Sequence, residues 1–294
     1  MTTLTEHRVR LPLRLPLGGM PHRTVTLLEG PAGWGEWSPL PGYPSDPAVC
    51  RRAAEEAATT PWPPAVRTRV RVNALVPAVT AGTAAALAAG LVDVKVKVGV
   101  DIASAEVDRV AAVRDAIGPS GRLRVDANGA WGVDQAVAMI GRLAPFDIEL
   151  VEQPVASLED LAAVRRQVDV PVAADECVRD LDDARRLAAL GAADALVVKV
   201  QPLGGLTATL RVMEAAGVAV IVSSMYETSV GLSAGLALAA ALDDLPYACG
   251  LGTAGLLAAD VVTDPLLAVD GWLSLRRPVP DPGLLARYRN GTGG

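Results

Sequence analysis

Histidine is almost missing from this 294-residue chain; only His7 and His22 occur, both near its start. A Ser-His-Asp triad or a His-rich zinc site in the large C-terminal region is therefore excluded. Acid–base chemistry there has to use Lys, Asp, Glu, Tyr or Cys, and any metal has to be held by oxygen. Cysteine is nearly as scarce. Cys50, Cys177 and Cys249 stand far apart, odd in number and without a CxxC pair, which reads as reduced, mostly buried thiols in a cytoplasmic protein. Long apolar runs are also lacking, because Gly, Asp and Arg break the Ala-rich stretches, and the first residues carry no signal-peptide core. A formal charge of −6 leaves no excess of basic residues for nucleic acid or an anionic membrane. No partner of either kind is expected, and the sequence is silent on oligomeric state.

What is abundant is Ala, Val and Leu, with 51% hydrophobic residues overall, a composition suited to many helix–strand units. Residues 1–65 read as a small α+β capping region. Strands are expected at 9–17 and 25–29 around a loop at 17–22, followed by a turn-rich stretch at 33–44 and a helix at 48–58. From 66 to 258, apolar runs alternate with helical periodicity. Strands are expected at 69–75, 93–98, 123–126, 148–152, 170–175, 195–200, 218–222 and, more weakly, 247–251. Helices are expected at 101–117, 133–143, 158–168, 181–190, 206–216 and 230–242. Near-continuous apolar strands alternating with helices indicate α/β architecture with a parallel sheet covered on its outer face. Eight strands fit a (β/α) TIM-type barrel better than an open sheet, since no glycine-rich fingerprint follows the first strand. Residues 259–294, which contain Trp272-Leu-Ser-Leu and several prolines, are read as a return that completes the cap, ending in a frayed tail from Arg287.

The strand at 93–98 carries two lysines. Strand alternation puts Lys95 and Lys97 on one face and Val94, Val96 and Val98 on the other. Alone, the pair could be a solvated stripe on an edge strand. The ends of the later strands argue otherwise, because a β/α barrel gathers those ends at its active mouth. They bring Asp126 and Asn128, Glu152 and Gln153, Asp175 and Glu176, Lys199 and Gln201, and then Ser223, Ser224, Tyr226 and Glu227. Any single acid could be a helix cap or an ion-pair partner, Glu227 and the serines could be loop caps, and Cys177 reads as a packing residue. It is their co-location that points to chemistry. Clustered acids resist ionising together unless a hard divalent cation joins them, and all-oxygen donors favour Mg²⁺ over Zn²⁺, with Mn²⁺ as a substitute. Lysines facing each other across such a mouth are expected to have depressed pKa values and to serve as base or acid.

Lys-x-Lys, Asp-x-Asn, Glu-Gln-Pro, Asp-Glu and a further Lys on successive strands resemble the enolase superfamily, muconate-lactonising subgroup. Within it the chain looks like the o-succinylbenzoate synthases of the short, alanine-rich actinobacterial type. Gly33-Trp-Gly-Glu-Trp-Ser-Pro39, the segment 223–232 and Gly250-Leu-Gly252-Thr253-Ala-Gly255 support that closer likeness. The resemblance implies a modified (β/α)7β barrel, with Asp126, Glu152 and Asp175 as Mg²⁺ ligands and Asn128 behind them. It assigns the ligand to Asp175, between which and Glu176 alternation alone does not choose, and leaves Glu176 beside Lys199. It implies Lys97 as base and then acid, Lys95 as the residue tuning it, and Lys199 on the opposite face of an enediolate. Ser223, Ser224, Gly252 and Thr253 would border a small-molecule carboxylate substrate. The implied reaction is dehydration of 2-succinyl-6-hydroxy-2,4-cyclohexadiene-1-carboxylate to 2-succinylbenzoate, for menaquinone synthesis. An N-succinylamino acid racemase or dipeptide epimerase would use Lys97 and Lys199 on opposite faces of the same site. Muconate cycloisomerase is a more distant option. A non-catalytic barrel-fold binding protein would be favoured by the loss of a ligand or lysine, and none is missing.

Overall fold

Alternating apolar and polar residues at the start of the chain form a long hairpin. In the computed structural model, which describes residues 4–17 and 19–289, β1 (Thr5–Leu17) pairs antiparallel with β2 (Met20–Gly30), and β2 with β3 (Gly33–Trp37). β1 starts four residues earlier than the sequence reading placed it, and β2 starts nearer the tip, at Met20. Gly18, within the expected loop, lies outside the described residues. The segment read as turn-rich opens with β3, because Gly35 lets α1 (Pro47–Thr59) lie directly on it; a Cβ there would collide with the Ala54 carbonyl oxygen. Asp46 starts α1 by accepting from the Ala48 N–H at 2.7 Å, with Pro47 in the first turn. Ala53, Ala54, Ala57 and Ala58 are buried on the sheet side.

The barrel strands follow in chain order. The short strand β4 (Arg69–Arg71) precedes β5 (Ala74–Val76), so the first expected strand is broken in two. Then come α2 (Ala81–Ala88), which the sequence reading did not delimit, β6 (Asp93–Lys97), α3 (Ala103–Ile117), β7 (Arg122–Asp126) and α4 (Val133–Leu143). They are followed by β8 (Ile148–Glu152), α5 (Leu158–Arg165), β9 (Val172–Ala174), α6 (Leu181–Leu190), β10 (Ala195–Val198), α7 (Leu206–Ala216), β11 (Ala219–Val222) and α8 (Ser229–Ala241). β5 to β11 form one parallel sheet in sequence order. The weak eighth strand is reduced to Cys249 and Gly250, which close the barrel. Cys249 donates to Arg71 O at 2.8 Å and accepts from Asn73 N at 3.0 Å, while Gly250 N donates to Val222 O at 2.8 Å. The result is a (β/α)7β barrel.

β6 is an interior strand between β5 and β7, so the edge-stripe alternative for its lysines does not apply. Val94, Val96 and Val98 join the core beneath the helices. The opposite parity fills the barrel lumen, with Leu150, Ala173, Ala195, Val197 and Ile221 forming its floor.

The C-terminal segment divides its contacts. Leu257, Val261 and Val262 pack on Val9, Leu11, Val25 and Leu27 of the cap, as do Leu285 and Tyr288 of α9 (Pro282–Tyr288). Within the same segment, Trp272-Leu-Ser forms β12 (Trp272–Ser274), antiparallel to β4, as a two-stranded sheet apart from the seven-stranded one. Arg287 and Tyr288, read as the start of a frayed tail, belong to α9, and Tyr288 is buried; residues 290–294 of that tail lie outside the described residues. Among the described residues no helix is long and apolar enough to cross a membrane.

Polar contacts tie the cap to the barrel mouth. Glu36, inside the Gly-Trp-Gly-Glu-Trp-Ser-Pro motif, accepts from the Thr228 and Gly231 N–H groups, each at 3.1 Å, at the start of α8. Ser38 N donates to Gln201 Oε1 at 2.9 Å, three residues beyond the end of β10.

Candidate active site

Register decides which side chains meet. Lys97 pairs with Asp126, Asp126 with Glu152 and Glu152 with Ala173, and partners across a parallel ladder point to the same side. Two residues beyond the inward-facing Ala173, Val197 and Ile221 stand Asp175, Lys199 and Ser223. Parity therefore turns Asp175 inward, the choice that strand alternation in the sequence alone left open. Asp126, Glu152 and Asp175 are all buried.

Lysines and acids interleave. Lys95 Nζ donates to Glu152 Oε1 at 2.7 Å and lies 3.1 Å from Asp126 Oδ2. Lys97 Nζ stands 3.8 Å from Asp126 Oδ1, is buried, and has no hydrogen-bond partner among the described residues. Lys199 Nζ is paired with both oxygens of Asp175. Glu176 lines the same cleft as Lys199, lies near enough to it to raise its pKa, and accepts from the Asn128 side chain. Asn128 N also donates to Asp126 Oδ1 at 3.0 Å.

The electrostatics correct a second expectation. Burial alone would lower the pKa of Lys95, but Asp126, Glu152 and Asp175 overcome it and hold the ammonium more firmly protonated. Burial likewise loses to Asp175, Glu176 and Glu152 at Lys199, whose pKa is also raised. Neither lysine is depressed, because the acids outweigh desolvation. At Asp126 burial opposes ionisation, yet Lys95 and Lys97 hold its carboxyl below the usual range. Burial pushes Glu152 up to about 7 despite Lys95, with Asp126 and Asp175 adding to the rise. Burial and Asp175 push Glu176 up to about 7.

The strand ends are held in unusual backbone conformations. Asn128, Gln153 and Tyr226 have φ of +43°, +39° and +60°, a left-handed region that costs such residues energy unless the surroundings hold it. Gln153 supplies part of that hold, accepting from Asp175 N and donating to Val155 O, each at 2.6 Å. Ser224 Oγ reaches Gly250 O at 2.5 Å and Thr253 Oγ1 at 2.9 Å. Ser223, Ser224, Gly252 and Thr253 all line the same open cleft of about 1500 Å³ as Lys95, Lys97, Asp126, Asp175 and Lys199. Met20 of the hairpin and residues 40–44 of the cap overhang it. Arg179 and Arg186 stand on its rim, each ion-paired to Asp183. Glu227 accepts from Met225 N and the Gln201 side chain, so it braces the loop and does not enter the cleft.

Sequence reasoning missed Tyr43. Its hydroxyl donates to Asp175 Oδ1 at 2.9 Å, and Lys199 Nζ lies 3.2 Å from that hydroxyl and 4.4 Å from the ring centre. Burial and the neighbouring Asp175 raise its pKa well above the ordinary phenol value, so it remains a donor. The Pro41-Gly42 pair was the available signal for a turn that aims the next side chain.

Buried carboxylates from three adjacent strands, with no nitrogen or sulfur ligand among them, are suited to a hard cation. Among the described residues they are not already drawn together as a ligand set, since Lys95 and Lys199 occupy their oxygens.

Two family models match this chain: an enolase N-terminal domain-like model over residues 8–58 and an enolase C-terminal domain-like model over residues 79–289. The chain is 52% identical over 282 residues to an o-succinylbenzoate synthase of Thermobifida fusca, covering 93% of this chain and 88% of that protein. It is 44% identical over 288 residues to one of Mycolicibacterium smegmatis, covering 95% and 88%. Among solved structures, the fold is similar to a muconate lactonizing enzyme from Pseudomonas fluorescens, with TM-score 0.87, 22% identity and 98% of each chain covered. A dipeptide epimerase from Enterococcus faecalis matches with TM-score 0.82 and 24% identity, over 95% of this chain and 99% of that one.

Proposed function

Because the chain belongs to the o-succinylbenzoate synthases of the enolase superfamily, we propose that it dehydrates 2-succinyl-6-hydroxy-2,4-cyclohexadiene-1-carboxylate to 2-succinylbenzoate. The observation that supports this reading best is the inequality of its lysines. Lys97 Nζ is buried, 3.8 Å from Asp126 and without a hydrogen-bond partner among the described residues, whereas Lys199 Nζ is bound to Asp175 and Tyr43. One unengaged amine facing one tethered cation suits elimination by a single base. A two-base racemase needs both lysines to exchange protons.

Asp126, Glu152 and Asp175 would hold Mg²⁺, with Mn²⁺ able to replace it. The fit is chemical: buried oxygen donors on neighbouring strand ends, with Glu152 pushed up to about 7 by burial and by the adjacent Asp126 and Asp175. When bound, the ion supplies positive charge at the substrate carboxylate and so lowers the cost of an enediolate. Lys97 takes the proton from the carbon bearing that carboxylate. The same amine, now an ammonium, returns the proton to the departing hydroxyl on the same face, and the C–O bond breaks with loss of water. Lys199 presents its ammonium to the opposite face of the enediolate. Lys95 keeps positive charge beside Lys97 and holds Glu152 in place, and Asn128 orients Asp126. Ser223, Ser224, Gly252 and Thr253 would border the remainder of the substrate.

The test is product formation from that cyclohexadiene carboxylate with Mg²⁺, after EDTA, and in parallel with N-succinyl amino acids. Dehydration with metal and none after EDTA is expected. Turnover without metal, or racemisation in place of dehydration, would overturn the reading.

A further inference from the structure

The cap contributes one side chain, Tyr43, that touches Lys199 from outside the barrel. Leu40-Pro41-Gly42-Tyr43 closes a turn in which Tyr43 N donates to Leu40 O at 3.2 Å. Gly42 has φ +85°, and Pro41 precedes it, the arrangement of a type II turn. The start of this loop is fixed by Ser38, whose N–H is bound to Gln201 of the barrel. A short, doubly constrained loop therefore delivers the Tyr43 ring onto Lys199. The contact has two parts: the ring face lies 4.4 Å from Nζ, and the hydroxyl lies 3.2 Å from it. A cation over an aromatic face is attracted by the ring quadrupole, more strongly where water is excluded. Lys199 is buried, so its long stem can be directed by that contact.

We propose that Tyr43 is a positioning residue for Lys199, its ring fixing the ammonium opposite Lys97 and shielding it from water. The inference rests on the reading above only in giving Lys199 a face of the enediolate to serve. Tyr43 is half-buried on a loop and lies outside the hydrophobic clusters, so its replacement leaves the core intact. The hydroxyl also reaches Asp175, which makes Tyr43→Phe the variant that separates ring from hydroxyl.

The experiment uses the full chain, with and without Mg²⁺, and two readouts. The first is the rate at which a small amine-acylating reagent modifies Lys199, followed by peptide mass spectrometry in the absence of substrate. The second is the division of any activity loss between kcat and KM. Tyr43→Leu should raise Lys199 modification about 5-fold or more and lower kcat about 10-fold or more, with KM changing less. Tyr43→Phe should stay within about 2-fold of the parent in modification and lose less kcat than the leucine variant. Gly42→Ala, which strains the turn at φ +85°, should increase modification without altering Tyr43 itself. Unchanged Lys199 modification in Tyr43→Leu would overturn the proposal, as would a loss confined to KM. Failure of the parent protein to dehydrate its substrate would instead sink the functional reading, and the modification rates would still decide the role of Tyr43.

Discussion

Lys95 Nζ donates to Glu152 Oε1 at 2.7 Å, so the first lysine of the Lys-x-Lys strand is hydrogen-bonded to an acid, while Lys97 two residues on stands 3.8 Å from Asp126 and has no hydrogen bond among the described residues. Lys95 also stands 3.1 Å from Asp126. Replacing Lys95 with Met leaves buried Glu152 without its hydrogen-bonded cation and Asp126 with only Lys97, 3.8 Å away. Loss of one partner from a buried pair costs about 3–5 kcal/mol. Lys95→Met is therefore expected to be destabilised by that order in EDTA, and less in saturating Mg²⁺, where the metal supplies the missing charge. Denaturant unfolding in the two conditions measures both. A variant as stable as its parent without metal would show that the pair contributes nothing.

Lys97 has the opposite profile. Its amine makes no hydrogen bond, so Lys97→Met, which retains most of the apolar stem, should cost less than about 1 kcal/mol in stability. Removal of a general base should lower kcat by about 10²–10⁴-fold. Mg²⁺ affinity, followed by calorimetric titration, should be retained. Near-parental turnover would remove Lys97 from the role of base.

The barrel was legible because its strands are short apolar runs with one polar terminus each, and the strand at 148–152 and the helix at 133–143 emerged with unchanged ends. The choice of Asp175 over Glu176 was not legible from the residues themselves. It depends on register, which the 172–174 strand fixes only through its pairing with Ala195 and Glu152. The raised pKa values of Lys95 and Lys199 were missed for a related reason. Desolvation is visible in an apolar strand, but which acid stands within hydrogen-bond reach is a tertiary fact. Tyr43 escaped because its partner is 156 residues away, and no local pattern encodes that meeting.

The close approach of α1 to β3 depends on Gly35. A Cβ at this position would collide with the Ala54 carbonyl, a backbone group that cannot rotate away. Gly35→Ala has to push the helix off the sheet, and overpacking of this sort costs about 1–3 kcal/mol or more. Because Gly35 adjoins Glu36, the displacement should also loosen the cap from α8. Lower unfolding midpoints together with faster amide exchange in residues 47–59 are expected. Unaltered exchange there would place the strain elsewhere.

Glu36 gives the fold a pH dependence of its own. Its carboxylate is buried and accepts from Ser38 Oγ at 2.7 Å as well as from Thr228 and Gly231 N–H groups. Burial nevertheless pushes its pKa from an ordinary 4.5 up to about 7, with Glu227 nearby adding to the rise. Below the ordinary value both folded and unfolded chains carry the proton, and the group adds no pH dependence. Between there and about 7 the folded chain keeps a proton that the unfolded chain releases, so stability falls as pH rises, and above about 7 the loss is complete. A shift of this size corresponds to a loss of about 3 kcal/mol. Glu36→Gln resembles the protonated form, so it should lie within about 1 kcal/mol of the parent at pH 5 and be the more stable protein at pH 8. Glu152 and Glu176 also sit near 7, but they are present in both proteins and cancel in the comparison. Denaturant unfolding of the pair at the two pH values decides it. A variant that falls further behind its parent at pH 8 than at pH 5 would mean that the hydrogen bonds from Ser38, Thr228 and Gly231 outweigh burial and that Glu36 is ionised in the folded protein.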